Sequence, residues 1–286
     1  MANLKEIRKR IQSVKSTQQI TSAMKMVAAA KLKKAQERIE KARPYAVKMA
    51  DVLASLALRT HEKAHPLLVR REVRHAALVV VTSDRGLCGA FNQNIIKTTE
   101  QFIRQNRGRY AEMLFILIGK KGYDYFKLRP INVHREYLGV SGKINFELAQ
   151  TIAGAMKDIF LSEKVDEIYI LYNRFKTTIS QEVVFDRLIP IAPLEIPEGE
   201  VVPGYVFEPS DEEILDDIIN TNLEIQVFRA LLESEASELG ARMTAMDSAT
   251  SNAEEMIKKL TLKYNRARQE TITKELMEII SGAEAL

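Results

Sequence analysis

Tryptophan is absent from the 286 residues, cysteine occurs once and histidine four times. One thiol can form neither an internal disulfide nor the thiolate cluster of a structural zinc site, which fits a reducing compartment. No apolar run approaches the ~20 residues that cross a bilayer, and the basic N-terminus, MANLKEIRKRIQSVKS, lacks the apolar core of a signal peptide. The chain is therefore expected to stay inside the cell. Internal repeats are missing, and so is any compositional case for disorder, because 46% of the residues are hydrophobic and 28% charged. The length exceeds the ~150 residues of a typical domain, so one sizeable core plus a further element is expected.

The charge that is present is unevenly divided. Residues 1–48 hold thirteen Lys or Arg against three Asp or Glu, residues 210–286 hold eight against sixteen, and the two ends are therefore oppositely charged. Both ends are also periodic. Leu4, Ile7, Ile11, Val14, Gln18, Thr21, Ala28, Leu32, Ala35, Ile39 and Ala42 follow a heptad seam. Pro44 should kink this helix by removing a backbone donor, and helical spacing resumes through Met49, Val52, Leu53 and Leu56.

No proline follows Pro209, and Ile218, Ile225, Leu232, Leu239, Met246, Ala253, Leu260 and Ala267 keep a seven-residue period. That predicts a helix of about 70 residues, roughly 105 Å at 1.5 Å per residue. A seam so long would expose an apolar stripe if it had no partner, and the oppositely charged N-terminal helix offers a matching one. An intramolecular antiparallel coiled coil follows. Small residues in TSAMKMVAAAK and ARMTAMDSATSNA let the two backbones approach closely. The C-terminal helix should outlast its partner by ~15 residues, so that TITKELMEIISGAEAL projects alone and requires a sleeve.

Between the helices, the buried-strand runs AALVVVTS, MLFILIG and DEIYILYN alternate with helical segments at residues 92–107 and 145–162. This is the β-α-β pattern of an α/β sheet domain. The later FKTTISQEVVFDRLIPI reads as an antiparallel hairpin or edge addition, and the Pro/Gly-rich APLEIPEGEVVPGYVFEP as a connection to the long helix.

Several short patterns suggest chemistry. TSDRGLCGAFN puts glycines where a strand meets a helix, yet it matches neither the dinucleotide fingerprint nor a P-loop, so a nucleotide site is not expected. Cys88 as a nucleophile lacks a recognisable base context among His61, His65, His75 and His134. HEKAH, residues 61–65, fits the zinc-protease pattern, but Pro66 follows at once and an exposed helix end is the simpler reading. IGKKGYDYF reads as a solvated βα loop. The basic N-terminal helix lacks the interleaved aromatics of a nucleic-acid binder, and no such partner is expected.

Residues 9–36, 82–92 and 233–283, in that order, closely resemble the gamma subunits of bacterial F-type ATP synthases, and the likeness spans essentially the whole chain. The resemblance implies an α/β fold in which a long antiparallel coiled coil of the N- and C-terminal helices (residues 1–60 and 210–286) joins a central Rossmann-like domain (residues 75–208). It implies a rotary shaft without catalytic residue, metal or cofactor, standing in a ring of three alpha and three beta subunits. Its foot would rest on the membrane c ring and the epsilon subunit, and proton flow would drive the beta subunits through ATP synthesis, or hydrolysis in reverse. The expected location is peripheral, on the cytoplasmic face of the cell membrane, without insertion into the bilayer.

By the same resemblance Met24 and Lys25 lie beside an acidic lever of beta, while Arg242, Gln269 and Thr273 match positions that bond a beta catch loop. An ion pair between Arg242 and Glu238 is the alternative for the first of these. Leu276, Met277, Ile279 and Ile280 form an apolar bearing tip. Asp84, Arg85 and Cys88 belong to a shoulder near beta, and Tyr205, Phe207 and Glu208 to the foot against the c ring and epsilon. The redox insertion of chloroplast relatives is absent, so thiol switching is not expected. Two competing readings are an enzyme centred on Cys88 or the His61/His65 pair, and a nucleic-acid-binding coiled coil.

Overall fold

The computed structural model describes residues 2–57, 65–191 and 211–284. Two helices account for about half of it: α1 (Ala2–Ala57) and α5 (Asp211–Glu284). α1 continues through Pro44, and the 74 residues of α5 correspond to about 110 Å. Between them come β1 (His75–Val81), α2 (Phe91–Gln105), β2 (Glu112–Ile118), α3 (Lys120–Phe126), β3 (Asn132–Tyr137), α4 (Phe146–Leu161), β4 (Glu167–Phe175) and β5 (Gln181–Ile189). The chain divides into two compact units, one of residues 30–241 and one of residues 1–29 with 242–286.

The first unit is built on a five-stranded sheet of order β3-β2-β1-β4-β5, in which only β5 is antiparallel to its neighbour. Alternate residues of the strands feed two cores. Ala77, Val79, Val81, Ile116 and Ile170 face α4 and the beginning of α5, whereas Leu78, Val80, Phe115, Leu117 and Leu171 face α2 and α3. β1 is buried from Ala76 to Val81, which is why it reads as an unbroken apolar run and not as an alternation.

One sequence expectation is corrected, and one strand was not foreseen. IGKKGYDYF is not a loop: Gly119, at φ +90°, turns the chain out of β2 directly into α3. Seven residues with a glycine inside are too few to show a helical period. β3 had no apolar run to announce it. It is an edge strand of sequence NVHREY, half-buried at most and paired with β2 alone.

Candidate functional site

In the second unit, Ile7, Thr21 and Ala28 of α1 are buried, as are Met246 and Ala253 of α5. The hydroxyls of Thr21 and Thr250 meet at 2.7 Å, and the Lys25 ammonium donates to Asp247 Oδ1 at 2.6 Å. Residue numbers rise along α1 as they fall along α5, so the pair is antiparallel. The hydroxyl pair and the ion pair one turn away mark a single register of the two helices, because a slip of one turn would separate both pairs at once. Carrying this register onward sets Leu4 opposite the region of Ala267, and the described residues of α1, from Ala2 on, pair with α5 only as far as about residue 270. There the apolar side chains stand open: Leu276 and Met277 are each 56% exposed, Ile279 69% and Ile280 45%. Gln269 and Thr273, four residues apart, line one shallow groove with Arg266 and Met277.

Met24 is half-buried. Lys25, expected as a partner contact, already holds an intramolecular ion pair with Asp247. Arg242 is half-buried and engaged.

In the sheet unit, the segment after β1 is closed on itself. Asn92 Oδ1 accepts from the Ser83 amide at 2.9 Å, and Asn92 Nδ2 donates to Ser83 Oγ at 2.8 Å. The crevice where the strand order reverses, between the ends of β1 and β4, is the usual ligand position of such a sheet. Here the protein fills it. Cys88, Phe91 and Ala241 pack together, Ser237 Oγ donates to the Asn173 carbonyl at 2.9 Å, and Gly240 lies against the Thr178 carbonyl. Cys88 is 2% exposed, so its thiol is a packing group. Of the zinc-like pair, His61 falls outside the described residues. His65 Nδ1 accepts the Leu67 amide at 3.1 Å, which leaves the proton on Nε2 to donate to Asp216 Oδ1 at 2.8 Å. This bond holds the Asp216 carboxyl below its ordinary value. Among the described residues no group of three His, Cys, Asp or Glu could hold a metal ion.

A family model described as ATP synthase matches residues 3–286. An ATP synthase gamma chain of Geobacter metallireducens is 52% identical over the whole of this chain and 99% of that one, and one of Geobacter sp. strain M21 is 51% identical with the same coverage. The chain belongs to the ATP synthase gamma family. The central stalk and c-ring structure of the Tetrahymena thermophila mitochondrial ATP synthase aligns with a TM-score of 0.62 at 26% identity, covering 80% of this chain and 99% of its counterpart. The fold also matches a Euglena gracilis mitochondrial ATP synthase chain, with a TM-score of 0.70 at 21% identity, covering 99% of this chain and 94% of that one. Among the described residues no helix is long and apolar enough to cross a membrane.

Of the shoulder residues expected in the gamma-family segment at residues 83–90, Arg85 is exposed, while Cys88 is buried and Asp84 is engaged within the chain. Asp84 turns inward: its carboxylate accepts the amides of Lys120 and Gly139 at 3.0 and 2.9 Å through Oδ1 and that of Ser141 at 2.8 Å through Oδ2. It thereby joins the ends of β1, β2 and β3. What faces outward is Arg85 with Leu87, a leucine 63% exposed and held at φ +63°. A non-glycine residue at such an angle costs of order 1 kcal/mol or more and persists only where its surroundings impose it. The flanking Gly86 and Gly89 mark a tight turn, but no sequence pattern says which residue of that turn is displayed. Tyr205, Phe207 and Glu208 lie outside the described residues.

Burial works against the Asp84 carboxylate, but the amides of Ser141, Gly139 and Lys120 outweigh it, and the group stays below its ordinary value of 3.8. A depressed carboxyl contributes stability above its unfolded value, and that contribution is lost as pH falls through the lower folded value. Asp84→Asn should therefore lower stability at neutral pH by about 1–3 kcal/mol and flatten the acid limb of the stability curve below about pH 4. Urea melts across that range test it. An unchanged acid limb would exclude Asp84 as the joining group.

Proposed function

We propose that this gamma-family chain is the central rotary shaft of an F-type ATP synthase on the cytoplasmic face of the cell membrane. Alpha and beta subunits, three of each, surround the paired helices, while the sheet unit stands with epsilon on the c ring. The observation that carries this reading is the uncovered apolar end of α5 beyond a paired seam. A soluble helix leaves such a stripe open only for a partner, and apolar contact has no fixed hydrogen bonds to break as one surface turns against another.

The shaft does no bond chemistry. It acts by touching successive beta subunits differently, so that each is biased toward binding, forming or releasing ATP in turn, and it can shift those equilibria only by its differential contacts. Met24 faces beta's acidic lever, Gln269 and Thr273 bond its catch loop together with Arg242, and the turn bearing Arg85 and Leu87 approaches the head from the sheet unit. Lys25 shares its charge between that lever and Asp247. Tyr205, Phe207 and Glu208 complete the foot.

Tagging the chain in its native membranes and purifying it under gentle detergent tests the reading. A complex containing alpha and beta subunits, with magnesium-dependent ATPase activity that the chain alone lacks, is expected; a lone chain would defeat it. A finer test is Met24→Lys. A second cation at the acidic lever should tighten one contact of the cycle out of proportion to the others, lowering proton pumping per ATP hydrolysed by severalfold, since each 1.4 kcal/mol of bias is tenfold in an equilibrium. Pumping assays on inverted vesicles measure the ratio, and a normal ratio would remove Met24 from the contact.

A further inference from the structure

Because β1 to β4 run parallel, the connections leading into them, residues 69–74, 106–111, 127–131 and 162–166, gather at one edge of the sheet. Hydrogen bonds tie the first, second and fourth of them together. The Ala111 amide donates to the Arg74 carbonyl at 2.8 Å, and the amides of Arg74 and His75 donate to Asp166 Oδ2 at 2.8 and 2.7 Å. These four connections hold eight Lys or Arg against three Asp or Glu, one of the three being the Asp166 already engaged by those amides. At the opposite edge, residues 82–90, 138–145 and 176–180 hold only three basic residues against one acidic.

Several of the gathered cations are held over aromatic rings. Arg129 stands over Tyr125 at 3.3 Å, Arg109 over Tyr110 at 5.2 Å and Lys127 over Tyr123 at 5.4 Å. Lys127 also pairs with Asp124 at 2.7 Å and Arg129 with Glu100 at 3.4 Å, so rings and carboxylates together limit where these two head groups can wander. Between Lys127 and Arg129 stands Leu128, 81% exposed, and Pro130 beyond it is exposed as well. The protein thus shows one bare leucine flanked by two cations of its own loop, on an edge where the three neighbouring connections carry six more.

We propose that this edge of the sheet unit docks onto anionic lipid headgroups of a membrane surface. A fluid layer of anions can neutralise cations distributed over four loops without a fixed register, and a leucine flanked by two cations is the composition of an interfacial anchor. A folded acidic protein would instead have to match all four loops at once. The proposal rests on the shaft reading only for its premise that the chain works beside a bilayer. An attraction of this kind is diffuse and screened by salt, so it steadies a turning body without arresting it.

The full chain bearing Leu128→Cys can be labelled in its native state with an environment-sensitive fluorophore, Cys88 being buried. The same label at Ile179→Cys, 82% exposed at the opposite edge, is the comparison. Vesicles of brominated phosphatidylcholine, with and without phosphatidylglycerol as a third of the lipid, should quench the label at 128 only when the anionic lipid is present, and leave the label at 179 bright. Neutralising Arg107, Arg109, Lys127 and Arg129 to glutamine should weaken partitioning roughly fivefold for each charge removed. Equal quenching at both positions, or quenching indifferent to headgroup charge, would overturn the proposal. So would a response at 128 to detergent-solubilised c ring without any response to vesicles, which would assign the face to protein. A chain that fails here yet co-purifies with alpha and beta subunits refutes this surface and leaves the shaft reading standing.

Discussion

A chain ending at Thr271 is expected to assemble into a complex that loses torque and melts early, while the sheet unit alone remains as stable as before. The deletion removes Ile272, Leu276, Met277, Ile279 and Ile280, all exposed and none a member of either core of the sheet unit. Each large aliphatic side chain that moves from water into an apolar sleeve contributes about 1.5–3 kcal/mol when fully buried, so even half-burial of five would be worth several kcal/mol to the complex. Rotation assays on single complexes read the torque, and thermal inactivation of ATPase activity reads the assembly. Urea melts of the free chain supply the control. Unchanged torque and inactivation temperature in the truncated complex would mean that the end of α5 is not a bearing.

The largest effect on folding is expected at Gly119→Ala. This residue sits at φ +90°, and a Cβ there would lie 2.1 Å from the Thr82 carbonyl oxygen. Thr82 cannot withdraw cheaply, because its amide donates to the Ile118 carbonyl at 2.8 Å and its hydroxyl accepts the Gly122 amide at 2.9 Å. Either the turn into α3 or the end of β1 must move. The cost should reach about 3 kcal/mol or more, the sum of a left-handed backbone forced on alanine and a displaced hydrogen-bonded strand end. Gly108→Ala separates the two contributions: its φ is +108° but nothing lies within 4 Å of a Cβ there, so only the backbone cost of about 1 kcal/mol should appear. Equal destabilisation by the two substitutions would show that the contact with Thr82 is yielding.

These positions mark the boundary of what the amino-acid order reveals. Ile218 through Ala267 carry a period that any reader can count, and the helix pair followed from it together with the opposite charges. β1, β2 and β4 are buried on both faces, so their apolar runs were plain. The antiparallel β5 was signalled by the hairpin pattern before it. β3 and α3 were not, since one is a polar edge and the other two turns long. Nor could sequence show that Asp84 reaches amides at Lys120, Gly139 and Ser141, or that Lys25 spends its charge on Asp247. Those partners are tens to hundreds of residues away, and only the finished fold brings them together. The exposed residues proposed to meet a partner were legible where apolar side chains cluster beyond the paired length of a helix, as at Leu276 to Ile280. They were illegible where a strained turn selects them, as at Leu87.

The filled crevice between β1 and β4 also gives the chain a built-in clock. Cys88 is its sole thiol and lies sealed against Phe91 and Ala241. A thiol reagent can therefore reach it only during moments when α5 lifts from the strand ends, and the labelling rate in the native state reports the frequency of that local opening. Under mechanical load the same rate becomes a strain gauge: a joint that opens as it twists will label faster in working complexes than in idle ones, and a joint that stays shut will not.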